Sequence, residues 1–187
     1  MRRAPLPILA AATLAAGCGN QQSKPPDLTT PAPVAGRTTV FFGAQGLRFR
    51  APADWRVRPG PAPLVATLQS GTASVAIWRY PRTEPLPRTK AQLDQARGLL
   101  LAAAHARDST FKEAKVAVTR VARHPAIQVR GTETVSGQPR TVRSTHVYAF
   151  GAELVVDAFA SAAQFPAVDR AVFVPLVRSL RVSAPKP

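Results

Sequence analysis

Short runs of alternating apolar and polar residues fill most of the chain beyond residue 40, and they constrain the fold more than any other feature. Ile127 and Val129, for example, alternate with Gln128 and Arg130. A period of two places successive side chains on opposite faces of a strand, which is typical of an antiparallel sheet with one face toward water. We predict strands at residues 47–51, 64–69, 73–80, 114–122, 126–135, 141–150 and 153–160. They would form an antiparallel sheet of about six to seven strands.

One segment after the third predicted strand has helical spacing. Thr89 and Gln92 have the form of a capping box, in which the two side chains satisfy free backbone N–H groups at a helix start. This motif predicts a helix that begins after Thr89 and ends near residue 107. Its apolar positions recur every three or four residues and should face the sheet: Leu93, Ala96, Leu100 and Ala103.

A second helix is predicted at residues 165–180. Pro166 suits a first helical turn, where its missing N–H costs nothing. Pro175 lies inside the segment, where loss of a backbone hydrogen bond should kink or end the helix at a cost of about 3 kcal/mol. The predicted fold class is therefore α+β, with an antiparallel sheet flanked by two main helices.

The N-terminal segment looks like an export signal. Arg2 and Arg3 precede an uncharged run over residues 4–17, which is shorter than the ~20 apolar residues of a membrane-spanning helix. The run closes as Leu14-Ala15-Ala16-Gly17-Cys18 and resembles the lipobox of bacterial lipoproteins. That resemblance implies removal of residues 1–17 as a signal peptide and lipid attachment to Cys18. The alternative is an ordinary secretory signal with an incidental cysteine.

Lipid on Cys18 would hold the protein to the cell membrane on its extracytoplasmic face, since more than one acyl chain makes a durable anchor. We predict a Pro-rich disordered tether at residues 18–38, a single domain at 39–183 and a disordered tail at 184–187. Because Cys18 is the only cysteine, the domain has no disulfide and must be stabilised by its core.

The formal net charge is +15, and arginine supplies 20 of the 25 basic residues. Such basicity can indicate nucleic acid binding. Export and the lack of a nucleic-acid motif argue against that partner. Two explanations stay open: the composition of a high-GC genome, or attraction to anionic lipid heads, anionic wall polymers or an envelope protein.

Two local patterns resemble a known fold. An alternating strand begins at Gly46 and is followed by Pro52 and Trp55, and the chain closes with a helix that runs through Ser179 into Val182. Both patterns are similar to those of the PsbP-like α/β/α sandwich, and the whole design is similar to the LpqN-type and DcrB-like lipoproteins. The resemblance implies that Trp55 caps one end of the core.

Residues for catalysis are sparse. His105, His124 and His146 have no spacing that would place two on one local face for a metal, and we assign no catalytic, cofactor-binding or metal-ligating residue and no cofactor. Ser144 and His146 share a strand face, although a hydrolase would also need an orienting acid and an oxyanion hole.

His146 and Asp157 decide whether the domain holds a polar site. Alternation places His146 with Val142, Tyr148 and Phe150 on the face predicted to be buried. Asp157 lies between apolar residues of a strand, where burial would demand a partner such as an arginine. If Asp157 and His146 were neighbours on adjacent strands, a small polar site would exist; otherwise both lie packed in the core.

The sequence supports a non-enzymatic binding or accessory lipoprotein of the cell envelope as the leading hypothesis. A carrier that holds an apolar or lipid ligand between helix and sheet is the second hypothesis. A weak hydrolase around Ser144 and His146 is the third.

Overall fold

The computed structural model describes residues 29–186, so the predicted signal peptide and Cys18 lie outside the described residues. Seven antiparallel strands form the main sheet in the order β3-β4-β5-β9-β8-β7-β6. Their bounds are β3 Arg56–Pro59, β4 Leu64–Ser70, β5 Ala73–Pro81, β6 Lys112–Val121, β7 His124–Val135, β8 Gln138–Ala149 and β9 Ala152–Ala160. The predicted strands all fall within this sheet except the first.

That first predicted strand belongs to a second, three-stranded sheet of order β1-β2-β10. Its strands are β1 Arg37–Phe42, β2 Leu47–Pro52 and β10 Arg181–Val182. As alternation predicted, Leu47 and Phe49 are 1% exposed whereas Arg48 and Arg50 are exposed. Periodicity did not identify β1, β3 or β10, because these strands are short or lack a regular alternation of apolar and polar residues.

Helix α1 spans Lys90–Arg107, and the predicted capping box is present, with the Thr89 side chain accepting from the Gln92 N–H. The terminal helix is formed by α2 Phe165–Val168, a π-helical segment Asp169–Phe173 and α3 Val174–Ser179. Pro175 therefore does not end the helix. The chain widens into a π-helical turn just before it, which is a common way to accommodate a missing N–H.

In a regular α-helix, the residue at position 175 would donate to the Ala171 carbonyl four residues earlier, which a proline cannot do. Arg37 on β1 donates to this oxygen through Nη2 at 2.6 Å. The three-stranded sheet thus supplies the hydrogen bond that the proline removes.

The seven-stranded sheet is covered on both faces. The face toward the terminal helix, called here the terminal-helix face, carries Val75, Val147 and Leu154 in one core with Phe49 and Phe173. The other, called the α1 face, carries a smaller core of Leu93, Phe111, Ile127, Val129, Val142 and Tyr148. The α+β prediction of a sheet between two helices is confirmed.

An ion pair holds the terminal helix on the sheet. Arg143 of β8 donates to both carboxylate oxygens of Asp169 at 2.8 and 2.9 Å, and its guanidinium lies 5.4 Å from the centre of the Phe173 ring. Both ionic side chains are mostly buried, at 23% and 15% exposed. The terminal-helix face at β7 and β8 is therefore covered rather than open to water, contrary to our expectation.

Hydrogen bonds join the domain to residues on either side of it, where we predicted a disordered tether and a disordered tail. The Ala32 N–H donates to Ser70 Oγ at 2.8 Å, and the Ala35 N–H donates to Asp54 at 2.9 Å. In the predicted tail, the Lys186 N–H donates to the Gly43 carbonyl at 3.3 Å. Backbone hydrogen bonds to the domain fix these segments, which composition alone could not indicate.

Candidate binding cleft

A cleft opens on the α1 face of the main sheet. Helix α1 packs mainly on β6 and β7, so it covers the same face of β9 and β5 less completely. Between the C-terminal half of α1 and strands β8 and β9 lies a cavity of about 180 Å³. The helix contributes Leu100, Ala103, Ala104 and Arg107 to its walls.

Asp157 lies at the floor of this cleft because of strand register. It is paired with Ser144 of β8 on one side and with Ala76 of β5 on the other. Directly opposed residues of an antiparallel pair share one face, so Asp157 is flanked by two small side chains. The small neighbours leave space above the carboxylate, and that space is the cleft.

Five side chains form a hydrogen-bonded chain from this floor to the surface. Ser144 donates to Asp157 Oδ1 and also contacts His146 Nε2 at 2.9 Å. His146 Nδ1 lies 2.7 Å from Glu153 Oε1, and Glu153 Oε2 accepts from Arg82 at 3.1 Å. The partner of Asp157 is thus a serine hydroxyl rather than the arginine that we expected.

The hydrogen bond from Ser144 to Asp157 sets the direction of the next contact in this chain. A serine hydroxyl has one hydrogen, and Ser144 gives it to Asp157, so its oxygen accepts from His146 Nε2–H. The other ring nitrogen of His146, Nδ1, lies within hydrogen-bonding distance of Glu153 Oε1. The chain is therefore a continuous hydrogen-bonded network that connects the cleft floor to solvent.

A second acidic group closes the cleft near the end of α1. Glu133 of β7 is only 8% exposed and accepts from Arg107, whose side chain is 70% exposed at the rim. Burial raises the pKa of Glu133 despite the opposing effect of Arg107. Burial likewise raises the pKa of Asp157, against the lowering effects of the Ser144 hydrogen bond and of His146.

Two carboxylate oxygens in the cleft have no donor among the described residues. Arg107 donates to Glu133 Oε2, and Ser144 donates to Asp157 Oδ1. The other two oxygens, Glu133 Oε1 and Asp157 Oδ2, accept from no protein donor in this part of the chain. The remaining walls are apolar and include Phe111, Val155 and Phe159. A few polar acceptors against apolar walls are characteristic of a small-molecule binding site.

The geometry resembles a Ser-His-Glu relay, but it suits binding better than acyl transfer. The Ser144 proton points to Asp157 rather than to His146, and an anionic Asp157 would repel an oxyanion at Ser144. Ser144 also lies in the middle of β8, which is paired with β7 and with β9. The backbone N–H groups nearby are engaged in these ladders and cannot form an oxyanion hole.

The structure brings together some of the residues that the sequence singled out. Ser144, His146 and Asp157 meet in the cleft. His105 instead packs edge-on against Phe111, with ring centres 5.2 Å apart, and His124 packs in the same way against Phe150.

Two further expectations have separate outcomes. Trp55 is 4% exposed and belongs to the core, as predicted. The placement of Phe150 on the buried face is wrong, since it lies in the β8–β9 turn with φ of 48° and is 47% exposed.

Glu133, Glu153 and Arg107 of the cleft were not identified from the sequence. Glu153 could have been found, because it lies four residues before Asp157 and shares its strand face. Arg107 reaches Glu133 only because α1 packs across β7, which no local pattern predicts.

The described part of the chain has neither a metal-binding cluster nor a membrane-spanning helix. Within residues 29–186, no three His, Cys, Asp or Glu side chains are arranged to hold a metal ion. No helix in the same range is long and apolar enough to cross a membrane.

Comparison with known proteins identifies the fold. No family model and no curated protein matches the chain. The solution structure of cyanobacterial PsbP (CyanoP) from Synechocystis sp. PCC 6803 matches with a TM-score of 0.62 and 10% identity, over 81% of this chain and 95% of that one. LpqN of Mycobacterium tuberculosis, described as involved in cell envelope biogenesis, matches with a TM-score of 0.52 and 15% identity, over 79% and 91%.

A third match is a protein from Bacteroides thetaiotaomicron, with a TM-score of 0.53 and 8% identity, over 83% of this chain and 49% of that one. These low identities establish similarity of fold and nothing finer. The prediction of a PsbP-like α+β domain is confirmed by the CyanoP match.

Proposed function

We propose that this chain is a non-enzymatic binding lipoprotein of the cell envelope, and that it holds a small organic cation in the cleft beneath α1. The observation that carries the proposal is the pair of unpartnered oxygens, Glu133 Oε1 and Asp157 Oδ2, in a cavity with apolar walls. A buried carboxylate is costly unless a donor or a positive charge satisfies it. An ammonium group would satisfy both.

The size and walls of the cleft narrow the ligand further. A cavity of about 180 Å³ is smaller than the ~300 Å³ at which sites for drug-sized ligands begin. The apolar walls favour a short hydrocarbon body beside the cationic group. The polar floor argues against the purely apolar or lipid ligand of our second sequence hypothesis.

The cellular location in this proposal rests on the N-terminal sequence and on one structural neighbour. Cys18 in its lipobox-like setting supports lipid attachment on the extracytoplasmic face. LpqN, whose fold is similar, is described as involved in cell envelope biogenesis. An accessory role in the envelope is consistent with both.

A matched set of ligands tests the cleft. We would titrate the protein with butylammonium, butanol and butyrate and follow the His146 ring by NMR. We expect butylammonium to bind about tenfold more tightly than butanol, because hydrogen bonds to charged groups are worth about 1.5–3 kcal/mol. Butyrate should not bind.

Variants identify the residues responsible. Glu133→Gln and Asp157→Asn should remove the preference for the cation. Glu113→Gln removes the same charge at an exposed position outside the cleft and should preserve the preference. Equal affinities for the three ligands would refute the cation assignment. No binding, together with no co-purifying ligand in native mass spectrometry, would refute cleft binding itself.

A hydrolase is the second candidate, because Ser144, His146 and Glu153 are aligned at 2.9 and 2.7 Å. If it were correct, hydrolysis of p-nitrophenyl acetate would be lost in both Ser144→Ala and His146→Ala. Activity that survives either substitution removes this candidate. We expect no activity that depends on Ser144, since its proton is directed at Asp157.

A further inference from the structure

The outer face of the three-stranded sheet carries an aromatic ring among arginines. Phe41 of β1 and Arg181 of β10 are both paired with Arg48 of β2, so the three side chains form one row across the sheet. Arg50 lies two residues further along β2 on the same side, opposite Thr39. We name this surface, formed by Thr39, Phe41, Arg48, Arg50 and Arg181, the arginine face.

Phe41 is unusually exposed for a large apolar side chain. It is 62% exposed, whereas its neighbour Phe42 turns inward and stacks on Phe49 with ring centres 6.1 Å apart. The Phe41 ring lies against Gly43, where an added Cβ would come within 2.8 Å of it. The fold therefore leaves room for the ring to lie at the surface.

The positive charge of this face is not neutralised locally. Among the described residues, Arg48, Arg50 and Arg181 form no ion pair with a carboxylate. Arg181 donates to the carbonyls of Arg178 and Leu180 at the end of α3.

Acidic residues on adjoining segments are already engaged. Asp54 accepts from the Ala35 N–H, and Asp169 is paired with Arg143. An anionic partner would therefore meet guanidinium groups that have no carboxylate partner among the described residues.

We propose that the arginine face docks on an anionic bilayer, with Phe41 at the interface and the arginines at lipid phosphates. Guanidinium groups bind phosphate oxygens in pairs, and aromatic rings partition into the headgroup region. An anionic wall polymer would match the charge but offers no apolar layer for Phe41. The lipid predicted on Cys18 would keep the face close to the bilayer, so weak docking would suffice.

Docking in this way orients the domain, which goes beyond the proposed ligand binding. The inner side of the three-stranded sheet shares a core with the terminal-helix face of the main sheet. The cleft lies on the opposite, α1 face. With the arginine face on the bilayer, the cleft opens away from the membrane.

The test uses the full lipidated chain in vesicles of phosphatidylglycerol and phosphatidylcholine or of phosphatidylcholine alone. A nitrobenzoxadiazole label is placed at Thr39→Cys on the face or at Ala102→Cys on the exposed side of α1. Lipid on Cys18 leaves the introduced cysteine as the site for the label. We expect the fluorescence emission of the label at position 39 to shift to the blue on anionic vesicles only. The emission of the label at position 102 should not shift. Raising the salt concentration from about 0.05 to about 0.5 M should abolish the shift at position 39.

Two pairs of substitutions with equal charge separate the face from net charge. Arg48→Gln with Arg50→Gln should lower the docking equilibrium constant by about fivefold per arginine. Arg56→Gln with Arg58→Gln, on exposed positions of β3, should leave it unchanged. Phe41→Ala should weaken docking without changing charge.

Three results would overturn the proposal. The first is an equal signal at position 39 on neutral and anionic vesicles. The second is an equal effect of the two arginine pairs, which would show that only net charge matters. The third is binding of a soluble anionic wall polymer to the face while anionic vesicles produce no shift.

Discussion

Replacement of Asp157 by Asn tests the cleft floor directly. The asparagine keeps the shape and an oxygen that can accept from Ser144, but it cannot ionise. In the native protein, burial raises the pKa of Asp157 above its ordinary value of 3.8. The native carboxyl therefore holds its proton in the folded state at pH values where the unfolded chain has lost it.

The sign of the effect follows from proton binding. Between the ordinary pKa and the raised one, the folded state binds more protons than the unfolded state, so the stability of the native protein falls as pH rises. One proton gives a limiting slope of about 1.4 kcal/mol per pH unit. Above the raised pKa of Asp157 the loss levels off. The Asp157→Asn substitution removes this dependence, so the variant gains stability over the native protein as pH rises.

Chemical unfolding measures the difference. We would determine the free energy of unfolding of both proteins in urea between about pH 4 and about pH 9. The other titrating groups, including Glu133, are common to both proteins. To a first approximation their contributions to the two free energies of unfolding cancel in the difference. The pH at which the difference stops growing gives the pKa of Asp157 in the folded state.

A coupled variant identifies the role of His146. The charge of His146 favours ionisation of Asp157 and lowers the pKa of that carboxyl. We would therefore compare His146→Gln with the double variant His146→Gln, Asp157→Asn. The difference between their free energies of unfolding should level off at a higher pH than the same difference measured with His146 present. A difference that is constant across the whole pH range would refute the reasoning, because it would mean that water reaches Asp157 freely.

Three further predictions concern the fold and the anchor. Arg143→Met leaves Asp169 mostly buried and without its partner. We expect the free energy of unfolding to fall by roughly 3 kcal/mol, the low end of the range for breaking a buried ion pair. A loss below about 0.5 kcal/mol in urea unfolding would contradict this. Arg37→Ala removes the donor to the Ala171 carbonyl. We expect the free energy of unfolding to fall by about 1–3 kcal/mol and the amides of residues 169–173 to exchange hydrogen faster. Unchanged exchange there would contradict the role of Arg37. Cys18→Ala should move the protein from the membrane fraction to the soluble fraction on cell fractionation, and equal retention would refute lipid anchoring.

Local patterns predicted the main elements well. The capping box at Thr89 correctly placed the start of α1, and alternation placed the strands of the main sheet. Pro175 was harder to interpret, because the outcome depended on Arg37 of β1, which lies far away in sequence. A donor supplied from another sheet is a tertiary effect that a helical pattern does not contain.

The candidate site was partly predictable for a specific reason. A two-residue turn at Phe150 and Gly151 brings Ala149 opposite Ala152, and the same register then brings Ser144 opposite Asp157. The strands predicted at 141–150 and 153–160 required a turn between them, but their approximate bounds did not fix its length. Because a shift of one residue would move every side chain to the other face, that length decided whether the site existed.

The placement of charge bears on the two explanations left open for the excess of arginine. A compositional bias explains how many arginines the chain has, but it gives no reason for where they lie. At the cleft, Arg82 and Arg107 each pair with a carboxylate. On the arginine face, the guanidinium groups surround an exposed phenylalanine and form no ion pair among the described residues. Most arginines of the described residues form no ion pair, so the exposed phenylalanine is what distinguishes this face from the rest of the basic surface. An aromatic ring among guanidinium groups supports the proposed contact with a bilayer, on the side of the domain opposite an acidic cleft.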